Sequence, residues 1–153
     1  MAEYPEKLAE LLEMLETIPD PRERVDVLVN YAEKFKPATE EEIPRPYPAK
    51  NKIPFCESGA YVWVHPHEDG TLTFSFVVEN PQGISAKALV AVLKNTVAGE
   101  KAEKVANIPD DLVYKLFGQG LSMGKNMGLT AIVQYIKREA KKYLDVTKKD
   151  SRQ

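Results

Sequence analysis

The chain has one cysteine, Cys56, and can therefore form no internal disulfide. It also lacks any CxxC pair, which removes the commonest zinc and dithiol-redox patterns. No apolar run approaches the roughly 20 residues a membrane-spanning helix requires. Charge of one sign is not in excess. The 21 basic and 23 acidic side chains leave a net charge of −2, so no global field draws in nucleic acid. The opening MAEYPEKLAE has neither a basic start nor an apolar signal segment. Together with the lone thiol, this predicts a reducing, cytoplasmic setting. No internal repeat or low-complexity segment interrupts the chain.

What is present is an ordinary globular composition, 43% apolar and 29% charged over 153 residues, enough for one domain with a true core. Leu8, Leu11, Leu12 and Leu15 recur at helical spacing. A second helix opens with Asp20 as cap, Pro21 at its first position and Glu23 at the capping-box position; Val25, Leu28, Val29 and Ala32 form its inner stripe. Pro37, Pro44, Pro46 and Pro48 turn residues 36–50 into an extended surface connector. Tyr61, Val62 and Trp63 favour a strand. After the turn Glu68–Gly70, Leu72, Phe74, Phe76 and Val78 alternate as the second arm of a hairpin. Leu89, Val92, Leu93 and Val97 then mark a helix closed by Gly99, followed by short helices near 100–106 and from about 109–111. The glycine-rich stretch 118–128, GQGLSMGKNMG, is expected as a loop before a last helix through Leu129, Ile132, Val133 and Ile136. The tail TKKDSRQ is expected to fray. Runs of like elements predict an α+β fold: one domain over 1–153 with its core at about 5–145, and an antiparallel sheet of about three strands covered on one face by helices.

The thiol lies in KNKIPFCESGAYVWV, residues 50–64, between the proline-rich connector and the first strand. Ile53, Pro54 and Phe55 anchor the approach to it, and Glu57, Ser58 and Gly59 suggest a turn after it. A cysteine reacts as its thiolate, so nearby charge and partial exposure matter. Lys50 and Lys52 favour the thiolate, and Glu57 opposes it. The bland reading is a small buried hydrophobe; the loop position favours a thiol that does chemistry.

Other signals carry less. His65 and His67, with Glu68, Asp69 and Cys56, do not have a recognised zinc spacing. A hydrolase would need one imidazole in hydrogen-bond reach of Cys56, and an intervening strand carries His65 roughly 25–30 Å along the chain. GQGLSMGKNMG lacks the GxxxxGK[ST] phosphate-loop pattern. The basic face Lys137, Arg138, Lys141 and Lys142 has no interleaved aromatics and reads as solvated charge.

Three segments in order resemble the SufE/CsdE family of sulfur-acceptor proteins. The family's G-C-x-S-x-V-W stands here as FCESGAYVW, with Cys56 and Ser58 matching; without a gap, Ala60 falls at the valine position and Tyr61 at the tryptophan position. Its L-[ST]-P-S-R-x-x-G-L stands as LSMGKNMGL, keeping Leu121, Ser122, Gly128 and Leu129. ISAKALVAVL resembles the helix written IVKGLIAVL in family members. The chain departs from the pattern at Phe55, where the family has glycine. It departs again at ENPQG, which puts Asn80 and Gln82 at positions commonly held by aspartate, and at Lys125 in place of an arginine. Lysine keeps that charge but loses the planar fork.

The resemblance implies a SufE/IscU-like fold. It further implies that Cys56 takes sulfur from the persulfide of a PLP-dependent cysteine desulfurase and passes it toward an iron–sulfur scaffold complex. Lys125 would support docking near the thiol. The PLP would belong to the partner, and this chain would hold no cofactor or metal of its own and bind neither nucleic acid nor membrane. It would act as an accessory carrier rather than an enzyme. Because a persulfide must avoid reductants and oxidants, Cys56 is further expected to tuck against an apolar pocket in the free protein and to swing out when partnered. Two alternatives stay open on the residues alone. One is a thiol-dependent enzyme, either a small hydrolase or a peroxide-reactive protein. The other is a non-catalytic adaptor with a buried cysteine.

Overall fold

A computed structural model describes residues 3–151. Helices α1 (Glu6–Glu16) and α2 (Pro21–Lys34) come first, followed by an irregular connector containing a single 3₁₀ turn, Ala49–Asn51. Strands β1 (Ala60–Pro66) and β2 (Leu72–Val78) form the hairpin. Helices α3 (Ile84–Thr96), α4 (Ala102–Ala106), α5 (Leu112–Phe117) and α6 (Met123–Ser151) complete the α+β chain.

Leu8, Leu11, Leu12 and Leu15 are all buried on α1, as a 3.6-residue period requires. The Asp20 carboxylate accepts from the Arg22 backbone N–H at 2.9 Å, so it caps α2 ahead of Pro21. The buried stripe of α2 is shorter than its pattern predicts. Leu28 and Ala32 are buried, Val29 is half-buried, and Val25 in the first turn is 55% exposed. Helix α2 packs on α3, and Val27 and Tyr31 of α2, with Phe35 just after it, line a cavity shared with Ala91 of α3.

The register pairs Ala60 with Val78, Val62 with Phe76 and Val64 with Phe74. This places the apolar alternation of both strands on the helix-facing side. The opposite side is not bare: Tyr47 of the connector packs on Tyr61 (5.0 Å between ring centroids) and on Trp63 (5.6 Å).

Among the described residues the sheet has two strands, one fewer than the pattern suggests. The flanking chain covers both edges without extending the ladder. Ala38 N–H donates to Phe76 O at the free edge of β2, and Asn51 Nδ2 donates to Val62 O at the free edge of β1. Isolated bridges join Lys52 to Tyr61 and Thr71 to Lys101. Prolines 37, 44, 46 and 48 remove the amide donors that a regular third strand would need.

Two expectations about α6 change. The helix begins at Met123, so the second half of the glycine-rich stretch is helical rather than loop. Ser122 explains the start: its Oγ accepts from Lys125 N–H at 3.3 Å, and its carbonyl accepts from Asn126 N–H at 3.0 Å. At the other end α6 runs to Ser151, so residues 147–151 of the tail are helical, with Thr147 Oγ1 donating to Tyr143 O. Residues 152–153, also expected to fray, lie outside the described residues.

Candidate functional site

Cys56 sits on a closed loop that begins and ends at the sheet. Ile53 N–H donates to Ala60 O across the loop base, and Gly59 N–H donates to Cys56 O, with Gly59 at φ +66°. The ladder then continues past β1: Glu79 N–H reaches Gly59 O and Asn80 N–H reaches Ser58 O. Buried Ile53 plugs the inner side. The loop is therefore tied down on both flanks, and the half-buried Cys56 packs against the core between them.

Three elements close around it. The first is the Asn80–Gly83 turn. Asn80 Oδ1 accepts from Gln82 N–H at 2.9 Å, and Asn80 O accepts from Gly83 N–H. An asparagine performs this turn-closing job as an aspartate would, so the departure from the acidic pattern leaves the local geometry intact. Gly83 presses on Ser58: a Cβ there would lie 2.8 Å from Ser58 Oγ.

The second element is the start of α6. A Cβ on Gly128 would lie 3.0 Å from both Cys56 Cα and Phe55 O, so only glycine lets the helix approach the loop this closely. The third is Phe55. It adopts φ +63°, a left-handed conformation that costs a ring-bearing residue about 1–3 kcal/mol, and its side chain is 69% exposed.

Cys56 borders two cavities. One, of about 290 Å³, is lined by Glu57, Ser58, Asn80, Gln82, Gly124, Lys125 and their neighbours. The other, of about 610 Å³, is more apolar, with Ile53, Pro54, Phe55 and Met127 beside Lys52 and Glu57. The structure thus brings Lys125 to the same cavity as Cys56, on the first turn of α6. No carboxylate pairs with its ammonium among the described residues. The positive dipole end of that turn adds to the same field. Glu57 is the opposing charge.

Lys50 lines a separate cavity, beside the free edge of β1. His65 and His67 stay on the hairpin, where their Nε2 atoms bond Ser75 Oγ and Thr73 Oγ1, both at 2.8 Å. Neither lines a cavity that Cys56 borders. No group of three His, Cys, Asp or Glu among the described residues is placed to hold a metal ion. Among the same residues, no helix is long and apolar enough to cross a membrane.

Phe55, Gly83 and Gly128 escape a reading by residue chemistry. The signal that could have exposed them lies in the motifs, where glycine precedes the cysteine and Gly128 is retained.

Fold and site together define a small α+β protein that presents one half-buried thiol from a braced loop. The family model described as "SufE: Fe-S metabolism associated domain" matches residues 9–140. The chain therefore belongs to the SufE family, and its domain is one associated with iron–sulfur metabolism. It is 24% identical over 139 residues to SufE-like protein 1, chloroplastic/mitochondrial, of Arabidopsis thaliana. That match covers 90% of this chain but 36% of the relative, so the chain spans about a third of that protein's length. The fold is also similar to the solution structure of a hypothetical protein from Thermus thermophilus. There the TM-score is 0.69 at 23% identity, covering 94% of this chain and 99% of that one.

Proposed function

We propose that the protein is an accessory sulfur carrier. Cys56 accepts sulfane sulfur from the persulfide of a PLP-dependent cysteine desulfurase, and the sulfur passes on to an iron–sulfur scaffold complex. The observation that carries this reading is the lone, half-buried thiol on a braced loop between two cavities, in a chain of the SufE family.

The Cys56 thiolate attacks the terminal sulfur of the donor persulfide. A new S–S bond forms at Cys56, the donor's S–S bond breaks, and the donor cysteine leaves as its thiolate. The proton on the terminal sulfur stays with it, and sulfur enters and leaves the step at the same oxidation level. No second cysteine exists to displace the sulfur as sulfide. The cavity shared with Lys125 and the first turn of α6 gives the Cys56 persulfide, once its terminal proton is lost to solvent, a place beside positive charge. The PLP is the partner's, and the chemistry asks for a compartment in which a free thiol persists, such as the cytoplasm.

The thiol-hydrolase alternative lacks the imidazole that would activate the thiol, since no histidine lines either Cys56 cavity. Sulfur-labelled cysteine, a cysteine desulfurase and this chain provide the test. Label moves to the wild type, and Cys56→Ser takes none while keeping the same thermal midpoint. Label on Cys56→Ser at the wild-type level rejects the assignment. Lys125→Ala should slow labelling several-fold, by roughly the effect of losing one unpaired charge at a docking rim.

A further inference from the structure

We propose that Phe55 is the anchor that holds the sulfur donor on the thiol: its ring seats in an apolar pocket of the donor while the donor's persulfide approaches Cys56. The inference deepens the sulfur-acceptor reading and rests on it.

The first observation is a mismatch between backbone and side chain. At φ +63° glycine would carry this loop with no steric cost, yet a phenylalanine stands there. Its ring does not recover that cost inside the molecule, because the residue is 69% exposed. A strained residue without an internal packing role points to an external one.

The second observation is placement. Phe55 adjoins Cys56 in the chain and lines the same 610 Å³ cavity, so a protein whose sulfur reaches Cys56 from that side covers the ring. Met127 lines that cavity too, and it is exposed on the first turns of α6, as is Met123. An aromatic anchor beside adaptable thioethers is the composition of an interface centre, with Lys52 and Glu57 as its polar rim.

The third observation is rigidity. The Phe55 carbonyl lies against Gly128, where a Cβ would approach it to 3.0 Å, and Ile53 is buried two residues earlier. The ring is displayed from a fixed base, which lowers the entropy lost on docking. The partner class follows: a persulfide-bearing protein with an apolar recess beside its reactive cysteine.

Wild type, Phe55→Gly and Phe55→Tyr would be compared with a PLP-dependent cysteine desulfurase and cysteine, following sulfur loading against acceptor concentration. Thermal midpoint and the rate of Cys56 alkylation by iodoacetamide serve as controls. Phe55→Gly should melt higher than wild type and alkylate within about twofold of it. Its half-saturating concentration should nevertheless rise about tenfold or more at unchanged maximal rate, and Phe55→Tyr should restore it. Opposite movement of stability and docking is what a merely structural ring cannot produce. Wild-type half-saturation in Phe55→Gly overturns the anchor and leaves the sulfur-acceptor reading standing. So does a lower midpoint with altered alkylation, which assigns the ring to holding the loop. A wild type that takes no sulfur overturns both.

Discussion

Gly124 and Gly128 lie one turn apart on α6 and face different surroundings. A Cβ on Gly124 would meet nothing within 4 Å, whereas one on Gly128 would meet the backbone of the cysteine loop at 3.0 Å. Replacing a helical glycine with alanine gains about 0.8–1.0 kcal/mol in propensity. Gly124→Ala should show about that gain in urea denaturation. At Gly128 the contacts are Cys56 Cα and Phe55 O, which cannot rotate away. Overpacking of that kind costs about 1–3 kcal/mol and outweighs the gain. Gly128→Ala should therefore be net destabilising, Gly128→Val more so, and both should change the alkylation rate of Cys56. Equal gains at the two positions would mean that α6 does not press on the loop. Cys56 was readable as chemistry, and Ser58 and Lys125 as motif positions; the reason for Gly128 is not, because a missing side chain reveals its purpose only through what approaches it.

At the scale of elements, the hairpin and the helix behind it carry the site. Leu89 on α3 is fully buried, so Leu89→Ala should cost about 2–5 kcal/mol by chemical denaturation, with sulfur acceptance retained below the transition. On the sheet's outer face His65 has a pKa below the ordinary histidine range. Burial is the main cause, the neighbouring His67 adds to it, and Glu42 opposes it. A histidine with a depressed folded-state pKa binds protons less readily than it does in the unfolded chain. Its contribution is intact above the unfolded value of about 6.5 and is lost as pH falls through the lower folded value. The thermal midpoint should thus drop on acidification below about pH 6.5, and His65→Gln should flatten that slope; an unchanged slope would place the proton uptake elsewhere.

Periodicity made the hairpin and most helices legible. It failed at the start of α6, where four glycines suggested a loop while the cap at Ser122 and the approach to Cys56 made a helix. It also failed at the sheet edges, because backbone donors from irregular chain, such as Ala38 N–H, satisfy an edge without leaving a strand pattern.

For the whole molecule, α6 and the β1–β2 ladder act as two sides of a clamp with the cysteine loop between them, and the connector covers the sheet's outer face. This arrangement holds the one thiol half-buried, beside Lys125 and the two cavities. Intact mass of the purified protein tests this most directly, after incubation with a cysteine desulfurase, PLP and cysteine. A gain of one sulfur atom is expected, mapped to Cys56 and reversed by dithiothreitol. No gain with several desulfurases, on a Cys56 shown by alkylation to be accessible, would contradict a sulfur-carrying role for this thiol.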